Sequence, residues 1–199
     1  MLGRIELTKG GTFIKTKRHS LSFILLWVLL SGLVPAQGFS AGQQESARLA
    51  ELESQEAAEM ANKALVKRWL EELWNQGDYR VANQLLAAEF QRHSEGYPAS
   101  GPDAYVAIIK SCHDGFPDSK IVQVDELIAD GNRVFVRWRW TGTHRAEFRG
   151  IGASGKTIDV LGEDVILIQD GKITDIWPLF DPLRLMLQIG AVQEVPGTP

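Results

Sequence analysis

The chain changes its hydrophobic rhythm partway along its length. Residues 47–75 are written in Ala, Leu, Glu, Lys and Arg without Gly or Pro, and Leu65, Trp69, Leu70, Leu73 and Trp74 recur at three- and four-residue spacing. This predicts one long helix, or two abutting ones, whose second half carries a wide apolar face. The first half, 47–59, has few large apolar residues and suits either a solvated arm or a surface for a partner. Gly77 stops the helix, and Asp78 caps a second over 79–86. Gly101-Pro102-Asp103 opens a third, with Pro where a missing amide costs nothing and Tyr105, Ile108, Ile109 and Cys112 as its stripe. After Pro117 the period becomes two. Residues 121–129, 133–144, 156–169 and 172–180 are rich in Val, Ile, Trp and Thr. Between them fall Asp130-Gly131-Asn132, the glycines at 150, 152 and 155, and Asp170-Gly171. Such turns between alternating runs predict an antiparallel meander. Asp181-Pro182 then starts a short closing helix over 183–188, ended by Gly190.

Helices first and strands after them give an α+β fold with the helices on one face of the sheet. Long, twisted strands curl, and helices laid across the concave side leave a cone with one open mouth.

Composition changes this picture in three ways. First, 199 residues with 44% hydrophobic and 23% charged side chains make a folded chain with room for one compact domain. Second, the net charge of -4 is uneven. Residues 1–36 hold Arg4, Lys9, Lys15, Lys17 and Arg18 against Glu6 alone, which leaves 16 basic and 24 acidic residues for the body. An acidic body repels phosphate backbones, so no nucleic-acid partner is expected. The basic stretch precedes an apolar run of 14 residues from Leu21 to Val34 and then Pro35-Ala36-Gln37-Gly38. That is the pattern of a secretory signal, so 1–36 is expected to be a signal peptide cleaved after Ala36. The protein would then be exported, periplasmic or secreted, touching a membrane only if the segment stays uncleaved. A linker and helical arm over 37–61 and a tail over 191–199 then flank a domain over 62–190. Third, the lone Cys112 excludes an intrachain disulfide and a multi-cysteine zinc site, and it is expected to be a buried small hydrophobe. No two histidines have ligand spacing, so no metal is expected.

Several features share one register. They are the helix end at Trp69 to Asn75, Phe90 with His93, Gly101-Pro102, Phe116-Pro117-Asp118, Arg137-Trp138 and Thr141-Gly142-Thr143-His144. Gly155-Lys156, Gly162, Asp170-Gly171-Lys172-Ile173, Trp177, Asp181 and Leu187-Gln188-Ile189-Gly190 continue the series. In this the chain from about residue 62 to 190 resembles SnoaL-like polyketide cyclase, or ester-cyclase-like, domains of the nuclear-transport-factor-2-like superfamily. The resemblance implies a cone of three amino-terminal helices on a curved antiparallel sheet with a short carboxyl-terminal helix, an apolar cavity, and a homodimer. It also implies a polyketide-like ester as ligand, with no cofactor: in such cyclases an aspartate on the last strand and a histidine on the strand before it shuttle a proton. Counted from the Asp-Gly turn, those positions here are Pro178 and Asp164. Proline has no titratable group, so the family's proton transfer cannot run unchanged.

Within 162–168 alternation puts Asp164, Ile166 and Ile168 on one face. If that face lines the cavity, the Asp164 carboxyl sits among apolar groups and becomes a usable acid or base near neutral pH. The alternative is a carboxylate that pairs with Arg137 or Arg139. His93, after the second helix, is expected at the mouth as its helper or as a ligand contact. Trp138 and Trp140 form either a cavity wall or packing for the long helix, and Ile166, Ile176, Pro178 and Phe180 are expected to line the cavity with them. Asp181 is expected to be an N-cap, and Trp177 to face away from Pro178. The outcome is a binder of a small hydrophobic molecule, either an enzyme of cyclase, isomerase or hydrolase type or a non-catalytic carrier or sensor. A dimeric protein-interaction module is the third possibility.

Overall fold

In the computed structural model residues 40–123 and 127–193 are described; the expected signal segment and the end of the carboxyl-terminal tail lie outside them. The described residues from Glu45 onward belong to one compact unit, which carries the architecture that follows. The first helix, α1 (Ala41–Arg68), starts six residues earlier than the composition suggests, and it runs through Gly42. A capping box explains the start: the Gln43 amide donates to Ser40 Oγ at 3.3 Å, and the Ser40 amide donates to Gln43 Oε1 at 2.9 Å. The described part of the expected linker and arm is therefore helical from Ala41 onward. Residues 41–58 are exposed, as a solvated arm would be, and burial begins in earnest at Val66. Farther along, Asn62 Nδ2 donates to the Gly131 carbonyl at 3.0 Å and the Gly131 amide donates to Glu59 at 3.0 Å, which fastens the helix to a hairpin turn of the sheet.

From Trp69 to Asn75 the helix widens into a π-helix, with the Gln76 amide reaching back to the Glu71 carbonyl. Bonds from i to i+5 bring residues five apart onto one side. Trp69 and Trp74 consequently meet edge to face, with ring centroids 6.4 Å apart. The second expected helix is shorter than its pattern. Asp78 caps a single 3-10 turn over Tyr79–Val81, and α2 (Ala82–Leu85) adds one turn before the chain extends.

That extension is β1 (Leu86–Arg92), which pairs with the two-residue β2 (Ala99–Ser100) ahead of α3 (Pro102–Gly115). The strands after Pro117 are β3 (Lys120–Gln123), β4 (Ile128–Asp130), β5 (Arg133–Thr143), β6 (Thr157–Gln169) and β7 (Lys172–Phe180), followed by α4 (Pro182–Ile189). The sheet order is β2-β1-β7-β6-β5-β3, with β4 also on β5. The meander is antiparallel as expected, but β1 lies parallel to β7, so the curved sheet is mixed. A register shift between Leu86 and Gln91 breaks the alternation of β1 and hides it from a period-two search.

One face of this sheet packs under the helices. Along β5 the burial alternates, with Val134, Val136, Trp138 and Trp140 inward and Arg137 and Arg139 outward. Helix α4 closes the far end: Asp181 Oδ1 accepts from the Arg184 amide at 3.0 Å as its N-cap, and Gln188 makes two hydrogen bonds to the backbone of Asp159 on β6.

Candidate functional site

Between the helices and the inner face of the sheet lies a hollow of about 60 Å³. Its walls are mostly aromatic and aliphatic: Trp74 of the π-helix, Ile108 and Cys112 of α3, Trp138 and Trp140 of β5, Ile176 and Phe180 of β7 and Leu185 of α4. Four groups break the apolar lining, namely Asp164, Tyr105, Arg92 and Arg149.

Asp164 is 4% exposed. Its Oδ2 accepts a hydrogen bond from the Trp138 indole at 2.9 Å. Burial pushes the carboxyl up to about 7, while the Trp138 bond and the charge of Arg92 pull the other way. Desolvation wins because one neutral donor replaces little of the water that a carboxylate loses. The expected alternative, a pair with Arg137 or Arg139, is not found. Arg137 lies by Glu163 at 3.6 Å and Arg139 by Asp159 at 2.8 Å, all on the outer face.

The bond between Trp138 and Asp164 depends on a glycine. Gly162 is the cross-strand partner of Trp138, and a Cβ there would stand 2.2 Å from the indole. The bare backbone lets the ring lie flat across β6, with its N–H reaching the residue two positions on.

Tyr105 enters from α3. Its hydroxyl accepts from the Trp74 indole at 3.1 Å, and among the described residues no acceptor takes its own proton. Burial, and then the nearby Asp164, raise its pKa, so the phenol stays protonated and free to donate. The Cys112 thiol is likewise buried and pushed up to about 11, an unreactive wall.

Of the lining expected from sequence, Trp138, Trp140, Ile176, Pro178 and Phe180 are in place. Ile166 is wholly buried in the core and does not reach the hollow. His93 lies on the other side of the sheet. Its Nε2 is 2.7 Å from Asp175 Oδ1, and its ring stacks on Trp177 at 4.6 Å. It therefore does not meet Asp164. The cause is strand parity: Arg92 is in register with Ile176 and turns inward, which sends its neighbour outward. Trp177 faces away from Pro178, as expected. Pro178 is the cross-strand partner of Asp164, so no titratable side chain stands opposite the carboxyl on β7.

Arg92, Arg149, Tyr105 and Trp74 were not foreseen as site residues. Tyr105 had a signal, since it lies on the apolar stripe of α3, which had to cover the sheet. The two arginines had none, because one belongs to the hidden strand and the other to a loop. Among the described residues no three or more His, Cys, Asp or Glu side chains converge on a metal site.

The family model for SnoaL-like polyketide cyclases matches residues 64–189. Comparison with curated proteins finds no match. Among solved structures, a protein from Jannaschia sp. CCS1 assigned to the SnoaL-like polyketide cyclases is 26% identical; the match covers 68% of this chain and 96% of that one, with a TM-score of 0.62. TsrD from Streptomyces laurentii is 26% identical over 67% of this chain and 97% of its own, with a TM-score of 0.61. A protein from Acidithiobacillus ferrooxidans, assigned to the polyketide cyclases, is 25% identical over 66% and 95%, with a TM-score of 0.58.

Proposed function

The chain belongs to the SnoaL-like polyketide cyclase family, and on that premise we propose that its hollow receives a small hydrophobic molecule, polyketide- or ester-like, on which Asp164 acts as a cofactor-free acid or base. One observation carries the reading: a single carboxyl, buried among aromatic walls and brought to about 7, lines an apolar hollow. A group balanced near neutrality both takes and returns protons. With Pro178 opposite and His93 outside, the two-residue shuttle of the cyclases is replaced by one group. This favours isomerisation, in which the same carboxyl removes a proton beside a carbonyl and delivers it elsewhere. The Tyr105 hydroxyl is the donor that steadies the carbonyl oxygen as it gains charge. Cyclase or hydrolase chemistry needs a further proton carrier, which the ligand or water would supply.

Asp164→Asn is the test. The amide keeps an acceptor for Trp138, so ligand binding should persist while kcat on a substrate turned over by the wild type falls about a hundredfold, the usual scale for acid-base assistance. Unchanged kcat removes Asp164 from the chemistry. Pro178 favours a second reading, a carrier or sensor that keeps the pocket without turnover. It predicts an apolar compound that co-purifies and is recovered chemically unaltered. Export is supported by the basic and apolar pattern at the amino end, and a homodimer by apolar side chains on the outer face of the sheet.

A further inference from the structure

Among the described residues, two positive charges in the hollow have no carboxylate within ion-pair distance. Arg92 of β1 donates to the Tyr97 carbonyl. Arg149 lies with its guanidinium 3.3 Å over the Tyr97 ring and 4.7 Å from the centre of the Phe148 ring. Among the described residues neither forms an ion pair with a carboxylate, although Arg68, Arg80, Arg137, Arg139 and Arg145 each have one within 4.0 Å. Asp164, the one carboxyl in the lining, is engaged by Trp138. Burial lowers the pKa of Arg149, and the charge of Arg92 adds to the effect, so the two guanidiniums repel each other across the space they share.

The backbone holds Arg149 in this place. Phe148 and Ile151 exchange hydrogen bonds of 2.9 and 3.0 Å around Arg149 and Gly150, whose φ values are +55° and +79°. That is the two-residue turn with both central residues left-handed, which suits Asn, Asp or Gly at the position Arg149 occupies. A bulky side chain kept there against backbone preference points to a task at the site.

We propose that Arg92 and Arg149 form an anion subsite, and that the ligand is an aromatic or fused-ring compound bearing a carboxylate: the free acid, not its neutral ester. The inference rests on the hollow being a ligand pocket and names what enters it. Half-buried charges without counterions favour a ligand that brings one, and a carboxylate fits the planar fork of a guanidinium with two parallel bonds. An ester carbonyl accepts a hydrogen bond but leaves the charge uncancelled. The aromatic walls take the rings.

The full chain is titrated with anthracene-2-carboxylate and with its methyl ester, followed by anthracene fluorescence. The acid should bind at least about tenfold more tightly, the scale of a charge-assisted pair. Arg149→Gly should abolish that preference by weakening the acid far more than the ester, and the variant should still fold, because glycine suits the turn. Arg92→Gln should reduce the preference as well. Equal binding of acid and ester by the wild type, or a preference that survives both substitutions, overturns the anion subsite and leaves the pocket standing. Binding of neither probe removes the pocket reading and this inference together.

Discussion

In the unfolded chain the Asp164 carboxyl gives up its proton near 3.8, whereas in the hollow it keeps it to about 7. Between those values the folded state holds a proton that the unfolded state has lost, so stability falls as pH rises through the window and levels off above about 7. At 1.36 kcal/mol for each pH unit the whole loss is about 4 kcal/mol. Carboxylates nearer the surface, such as Glu72, Asp78 and Asp118, are shifted downward by their partners and act in the opposite sense at lower pH. The effect is therefore isolated as a difference. In urea unfolding between pH 4.5 and 8, Asp164→Asn should gain on the wild type up to about pH 7 and then level off, by about 3 kcal/mol in all. Parallel curves would mean that the carboxyl ionises freely in the folded state. The inward face of Asp164 was legible because β6 alternates without interruption. His93 was misplaced because its side depends on the parity of a strand that local sequence does not reveal.

At the scale of elements, the same contrast separates what could be foreseen. Hairpins announced themselves through turn chemistry: Asp170 and Gly171 take φ values of +50° and +71°, as the Asp-Gly signal requires. The start of α3 and the cap of α4 followed from Pro102 and from Asp181 with Pro182. By contrast, β1 carries a bulge and pairs with a strand some eighty residues later, so no local pattern marks it. Pro178 also makes sense only in three dimensions. It falls past the last paired residue of β1, where β7 has become an edge and a missing N–H forfeits no ladder bond on that side. Gly162 is the sharpest case, since its lack of a Cβ seats the Trp138 indole. Gly162→Ala should cost about 1–3 kcal/mol in chemical denaturation, the usual scale of overpacking, and by shifting the indole should weaken its bond to Asp164. An alanine variant as stable as the wild type would show that Trp138 moves aside freely.

For the whole molecule, the outer face of the sheet is its least finished surface. Val165 and Trp177 are cross-strand partners, 41% and 38% exposed, and Leu179 beside them is 68% exposed. Apolar side chains grouped on an open sheet are what a second copy would cover. For the dimer proposed above, Trp177→Asp should shift association towards monomer in sedimentation equilibrium; a wild type that is already monomeric at high concentration would remove the dimer. The alternation of β7 has a last consequence. Ile176, Pro178 and Phe180 leave on one side and Asp175, Trp177 and Leu179 on the other, so the sheet acts as a partition. For the ligand and the dimer proposed above, loading on one side and assembly on the other would draw on separate side chains, which predicts little coupling free energy between them. By reciprocity, dilution to the monomer would leave occupancy unaltered, and saturation would leave the association constant where it was.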